Sequence, residues 1–240
     1  MRRKYDLIFS LGGNCSVASN LQQRGLRPFS LPFDWVYFKE KSTLDYLVSG
    51  FRTRFSDLMQ RENLIEITPS HPEWVDTHKG FLKFLDKETG SRFVNHFTKP
   101  LSEDGEYEKV YKKLRRRVDR LFDALESGQR FLLLLATDVN IAEEQLSKLL
   151  DSLNELYPGK CFDLEVLRFA EDHYSETRIS DHLIVKSIAR KFNYYDFIRT
   201  NYEWQFLDEV RSNTKPPRRR LAMHILPHLM LEITWNWKHT

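Results

Sequence analysis

Cys15 is the residue whose surroundings most suggest chemistry. It stands in Ser10-Leu-Gly-Gly-Asn-Cys15. The apolar run Leu7-Ile-Phe-Ser-Leu11 reads as a short buried strand closed by Gly12-Gly13. A helix follows through Ser16 to Arg24, with Val17, Ala18 and Leu21 on one face and Gly25 as its cap. Glycines take backbone angles barred to other residues, so the turn is tight. Free N–H groups at the helix start point into it, and the helix dipole favours an anion there. The expectation is a thiol of lowered pKa. Gly12, Gly13, Asn14 and Ser16 would supply the groups that hold a developing oxyanion. In parallel sheets ligands bind at the carboxyl ends of strands, and this turn occupies such an end. The competing expectation is a non-catalytic module, in which the turn grips a phosphate or carboxylate and the thiol is a small buried hydrophobe. The glycine spacing fits neither G-x-G-x-x-G nor the P-loop.

Other residues could join this site. His96 follows a hairpin-like segment and is one of eight histidines. Asp34, in Pro-Phe-Asp-Trp, could orient a histidine or bind substrate, although an Asx turn or helix cap is its commoner role. Trp35 joins the substrate-binding set, with packing as its ordinary use. Asp138 follows a central strand and could be a third triad member or a helix cap. Asp172-His173 and Asp181-His182 are adjacent pairs, and neighbouring side chains rarely converge on one point, so His173 and His182 are the weaker alternatives to His96. Arg116 lies in Arg115-Arg-Arg117, with Arg120 one turn on. Such a run is ordinarily a solvated face, but guanidinium forks suit phosphates and anionic glycans. His224, His228 and Glu232 fall four apart on a helical face among Leu and Met, where packing is the better reading. The two cysteines, Cys15 and Cys161, form no Cys-x-x-Cys pair, and His224-x-x-x-His228 has a spacing that could hold a metal but is read as packing, so no metal site is expected.

The elements that must position these residues alternate. Residues 26–38 form a packed aromatic loop. Residues 42–60 read as helix weakened in the middle at Gly50, with two shorter pieces as the alternative. Leu64-Ile-Glu-Ile, Gly80–Leu85 and Ser91–Val94 suggest strands and a hairpin. The spacing predicts a helix over 105–127, a buried strand over 131–136, a helix over 141–156 and a strand over 161–169. A helix near 182–192, a strand or helix near 194–200 and a helix near 201–211 complete the expectation. The fold class is α/β, a three-layer α/β/α arrangement on a mainly parallel sheet, with the nucleophile in the turn after the first strand. Residues 1–215 would form this domain. Residues 216–240, with Pro216-Pro-Arg-Arg-Arg220 and a Trp-rich end, would be a docked helical tail.

Composition narrows the class. The chain has 240 residues, 41% hydrophobic and 30% charged, with net charge +3. That excess is too weak to imply a nucleic-acid partner. Two cysteines make no disulfide framework, and a cytoplasmic setting fits. No run approaches the ~18 apolar residues of a membrane span. The basic tail could lie on an anionic membrane surface, at the inner membrane face, or equally could dock on the domain or on a second subunit.

Three segments carry a resemblance. Ser10-Leu-Gly-Gly-Asn-Cys-Ser-Val-Ala18, Leu21-Gln-Gln-Arg-Gly-Leu-Arg27 and Pro32-Phe-Asp-Trp35 resemble the opening of the bacterial papain-like cysteine peptidase family, a domain of unknown function. Asn95-His96-Phe97, the basic helix Tyr111–Leu121 and Phe131-Leu-Leu-Leu-Leu135 resemble its later segments, so the likeness runs over about residues 5–170. It implies Cys15 as nucleophile and His96 as its general base, with Phe97 standing where the family usually has aspartate. The Gly-Asn-Cys turn also resembles that of capsule-biosynthesis acetyltransferases, which bind coenzyme A. The layout is similar to SGNH esterases with cysteine for serine. The expected function is a thiol-dependent hydrolase or acyltransferase in surface-polysaccharide or glycoconjugate modification. A small molecule, glycan or peptide is the substrate. No cofactor is required for hydrolysis, and coenzyme A would serve acyl transfer.

Overall fold

The computed structural model describes residues 3–13, 15–38, 43–71, 80–103, 105–137, 140–170, 175–189 and 204–213. Asn14, Asp138, Asp172, His173 and the tail from residue 214 lie outside them, with the roles expected there.

The chain runs β1 (Arg3–Tyr5), β2 (Leu7–Ser10), α1 (Cys15–Gln23), β3 (Val36–Tyr37) and α2 (Thr43–Thr53). It continues through β4 (Leu64–Ile67), β5 (Leu82–Asp86), β6 (Arg92–Phe97), α3 (Glu106–Ser127), β7 (Arg130–Thr137) and α4 (Glu143–Leu156). Then come β8 (Cys161–Ala170), β9 (Ser175–Ser180), β10 (Leu183–Ala189), a 3-10 helix (Gln205–Glu209) and β11 (Val210–Ser212). This is a mixed α/β fold with a mainly parallel sheet ordered β2-β7-β8-β10-β9, in which only β9 runs antiparallel.

Strand β7 shows why the sheet forms. Its Phe-Leu-Leu-Leu-Leu-Ala core is buried on both faces, as expected of an interior parallel strand. Phe131, Leu133 and Leu135 join one apolar cluster with Leu114, Val118, Leu121 and Leu125 of α3 and Leu146, Leu149 and Leu153 of α4. Leu132, Leu134 and Ala136 join another with Val17 and Leu21 of α1 and Trp204 and Leu207. The period of two along the strand sorts its side chains to opposite faces. Each fully buried Leu or Phe contributes roughly 1.5–3 kcal/mol.

Several expectations need correcting. Where a helix was expected near 182–192, the described residues Leu183–Ala189 form strand β10, parallel to β8 and antiparallel to β9. Ile184 and Val185 are β-branched and favour strand, and the run is too short for its period to decide alone. Near 201–211 the described residues form the short 3-10 helix and β11, which pairs with β1. Gly50 does not split α2. A Cβ there would meet the Phe55 ring at 2.0 Å, so this glycine makes room for that ring. The expected hairpin is part of a larger antiparallel sheet ordered β3-β6-β5-β4. Its Phe84, Phe93 and Phe97 pack into the α3/α4 cluster.

Candidate active site

The turn after β2 is built by two glycines in left-handed backbone, Gly12 at φ 97° and Gly13 at φ 96°. A Cβ on Gly13 would lie 1.6 Å from the Ala136 carbonyl oxygen, so the missing side chain lets the turn cross the carboxyl end of β7. A Cβ on Gly12 would meet the Phe38 ring at 2.5 Å. The Leu11 N–H donates to the Leu134 carbonyl at 2.8 Å, and the Gly12 N–H to Ser10 Oγ at 3.0 Å. Helix α1 then opens on Cys15 itself, followed by buried Ser16. Strand, tight turn and helix thus follow one another as the sequence predicts.

The state of the thiol is a correction. Cys15 is 1% exposed, and burial pushes its pKa up to about 11. The Tyr37 hydroxyl, which donates to Sγ across 3.6 Å, and the backbone N–H of Cys15 pull the other way without offsetting that burial. The helix N-terminus was expected to lower the pKa. Loss of water around a thiolate outweighs it here. At neutral pH Cys15 is a protonated thiol.

The remaining candidates fall in two further groups. Asp34, 1% exposed, accepts from Arg27 Nε at 2.7 Å and from the Leu31 N–H at 2.8 Å. Its carboxylate ties the 26–38 loop together, the local role that an Asx-type residue serves. Trp35 is half-buried, with the Arg27 guanidinium 5.7 Å from its ring centre. His96 lies on β6, edge-on to Phe93 at 5.3 Å between ring centres. Both its ring nitrogens are buried and have no hydrogen-bond partner among the described residues. Burial first, then the charges of Arg117 and Lys113, push its pKa down to about 3. His96 therefore makes no hydrogen bond to Cys15 in this conformation.

Arg116 is exposed, whereas its neighbour Arg117 is 8% exposed and interacts electrostatically with both Asp34 and His96. His182 pairs with Asp163, its Nδ1 lying 2.6 Å from Oδ1. Tyr37 escaped the sequence reading, and Arg117 entered it only as part of a basic run. Tyr37 was hidden in an aromatic loop, and only recognition of Val36–Tyr37 as a strand would have turned its side chain toward the turn. Arg117 could have been picked from its run, since it sits four residues before Leu121 and three after Leu114, on the apolar stripe of α3.

An uncharacterized protein, R408, of Acanthamoeba polyphaga mimivirus is 29% identical over 135 residues, which is 52% of this chain and 59% of that protein. The chain thus spans less than two thirds of that relative's length. No solved structure matches it. A family model described as "Putative papain-like cysteine peptidase", a domain of unknown function, matches residues 6–167 and so takes in Cys15, Tyr37 and His96. That description points to a cysteine-based hydrolase, and the chain belongs to this family.

Proposed function

We propose that the protein is a thiol hydrolase in which Cys15 is the nucleophile and His96 the general base. The observation that carries this reading is the seat of Cys15: first residue of α1, beyond two left-handed glycines, at the carboxyl end of a strand in a parallel sheet. In the reaction, sulfur adds to the acyl carbon and the thiol proton passes to a neutral imidazole. The leaving group departs with a proton, and water then cleaves the thioester, restoring the thiol and releasing an acid. His96 is neutral with open ring nitrogens, and to act as base it must also recover the basicity that burial and the Arg117 and Lys113 charges take from it. It must come within about 3 Å of the sulfur, and catalytic contacts often tighten only with substrate bound. Backbone N–H groups of Gly13 and Cys15 are the oxyanion donors in this scheme.

The three-layer arrangement belongs to the same reading, supported by apolar clusters on opposite faces of the sheet. Acyl transfer from a coenzyme A thioester to a glycan would use the same thiol and differ only in the acceptor. A peptide, glycan or small ester fits the chemistry equally. Among the described residues no helix is long and apolar enough to cross a membrane.

A second reading has its own support. A protonated thiol to which His96 makes no hydrogen bond suits a turn that binds a carboxylate or phosphate without catalysis. Hydrolysis of an activated ester such as p-nitrophenyl acetate separates the two. The hydrolase reading expects Cys15→Ser to cut turnover by roughly 10³-fold or more. A variant as active as the parent chain would favour the binding module.

A further inference from the structure

We propose that Cys161, Asp163 and His182 form a binding site for a borderline-soft divalent cation, with zinc as the best fit. Sγ of Cys161, a carboxylate oxygen of Asp163 and a ring nitrogen of His182 all lie within 4.8 Å of one another. His182 Nδ1 is 2.6 Å from Asp163 Oδ1 and 3.9 Å from Cys161 Sγ. Ligand atoms bound tetrahedrally at about 2.0–2.3 Å stand roughly 3.3–3.8 Å apart. The set is therefore within small side-chain adjustments of that geometry, and His182 is exposed and able to make them.

The fold builds this cluster rather than leaving it to chance. Cys161 and Asp163 alternate along β8 and so share one face of the strand. His182 closes the turn into β10, where its carbonyl accepts from the Leu164 N–H at 2.8 Å. Asp163 is only 4% exposed, and its far oxygen Oδ2 accepts from the Tyr5 hydroxyl at 2.5 Å and Arg130 at 3.1 Å. Those partners aim Oδ1 at His182, the outer-shell arrangement that orients carboxylate ligands in metal sites.

A second nucleophilic triad does not explain the same residues. A Cys-His-Asp relay needs the thiol and the carboxylate on opposite ring nitrogens. Here both face Nδ1, the convergence that chelation requires. Three protein ligands of mixed S, N and O type leave a fourth position for water or substrate, as in catalytic zinc sites. Asp163 also lines a cavity of about 420 Å3 shared with Arg3, Arg130, Arg178 and Lys186, so solvent reaches this side of the sheet. The cluster sits near the amino end of β8, whereas Cys15 lies beyond the carboxyl end of β2, so the two proposals stand apart.

Titration of the metal-free 240-residue chain with Co2+, followed by absorption, tests the site. The expected result is one equivalent bound, with a thiolate-to-cobalt charge-transfer band that Zn2+ displaces. Cys161→Ser should abolish the band, and His182→Ala, an exposed change that spares the fold, should weaken cobalt binding at least about tenfold. Cys15→Ser should leave the band in place. No saturable band, a band that survives Cys161→Ser, or one lost in Cys15→Ser would overturn the proposal.

Discussion

Tyr37 donates its hydroxyl to Cys15 Sγ across 3.6 Å, joining the antiparallel sheet to the turn that follows β2. This contact and the burial of the sulfur act in opposite directions on the thiol. Burial favours the protonated form, and the donor favours the thiolate.

The alkylation rate of Cys15 by iodoacetamide, mapped by peptide mass spectrometry, should therefore keep rising as pH approaches about 11. Tyr37→Phe removes the donor and raises that pKa further. At fixed pH 8 the rate at Cys15 should drop about tenfold, the effect of losing roughly one hydrogen bond to an anion. A rate already level at pH 7 would show a thiolate that the burial of Cys15 does not allow.

The glycines of the turn should differ in their tolerance. Gly13→Ala drives a methyl group into the Ala136 carbonyl, where neither backbone can withdraw, and imposes a left-handed conformation on alanine. A loss of about 3 kcal/mol or more in denaturant unfolding is expected. Gly12→Ala meets the edge of the Phe38 ring, a side chain that can turn aside, and should cost less. Equal losses would mean that close approach to β7 is not what sets Gly13.

His96 should make the fold acid-sensitive. Its folded pKa of about 3 lies below the ordinary 6.5, so between these values the unfolded chain binds a proton that the folded chain does not. Stability from this group is complete above pH 6.5 and is lost as pH falls toward 3, by an amount on the order of 5 kcal/mol. His96→Leu should remove one proton from the slope of stability against pH in that window. An unchanged slope would show that His96 titrates normally and is not desolvated.

The sequence made the strand–turn–helix at Cys15 legible because glycine, strand and helix signals are local and agree. The long helix α3 and strand β7 were legible for the same reason, each carrying one strong period. Strand β10 was not, because its seven residues acquire their state from β8 and β9 on either side. The protonation of Cys15 was misjudged because a helix terminus can be read from spacing, whereas desolvation depends on what the rest of the chain packs over the sulfur. The same holds for His96, whose burial and neighbour Arg117 arise from the packing of β6 and α3. The grouping of Cys161 and Asp163 with His182 rests on the pairing of β8 with β10, which no spacing within one segment announces.

Acyl trapping tests the central claim most directly. The native chain is mixed briefly with p-nitrophenyl acetate, quenched in acid and mapped by mass spectrometry for acetyl groups on Cys15 and Cys161. If Cys15 is the nucleophile, it acquires the acetyl group in a burst, despite being the more buried thiol, and His96→Ala slows that burst. Acetylation confined to Cys161, or at Cys15 no faster than in the unfolded chain, would contradict the account.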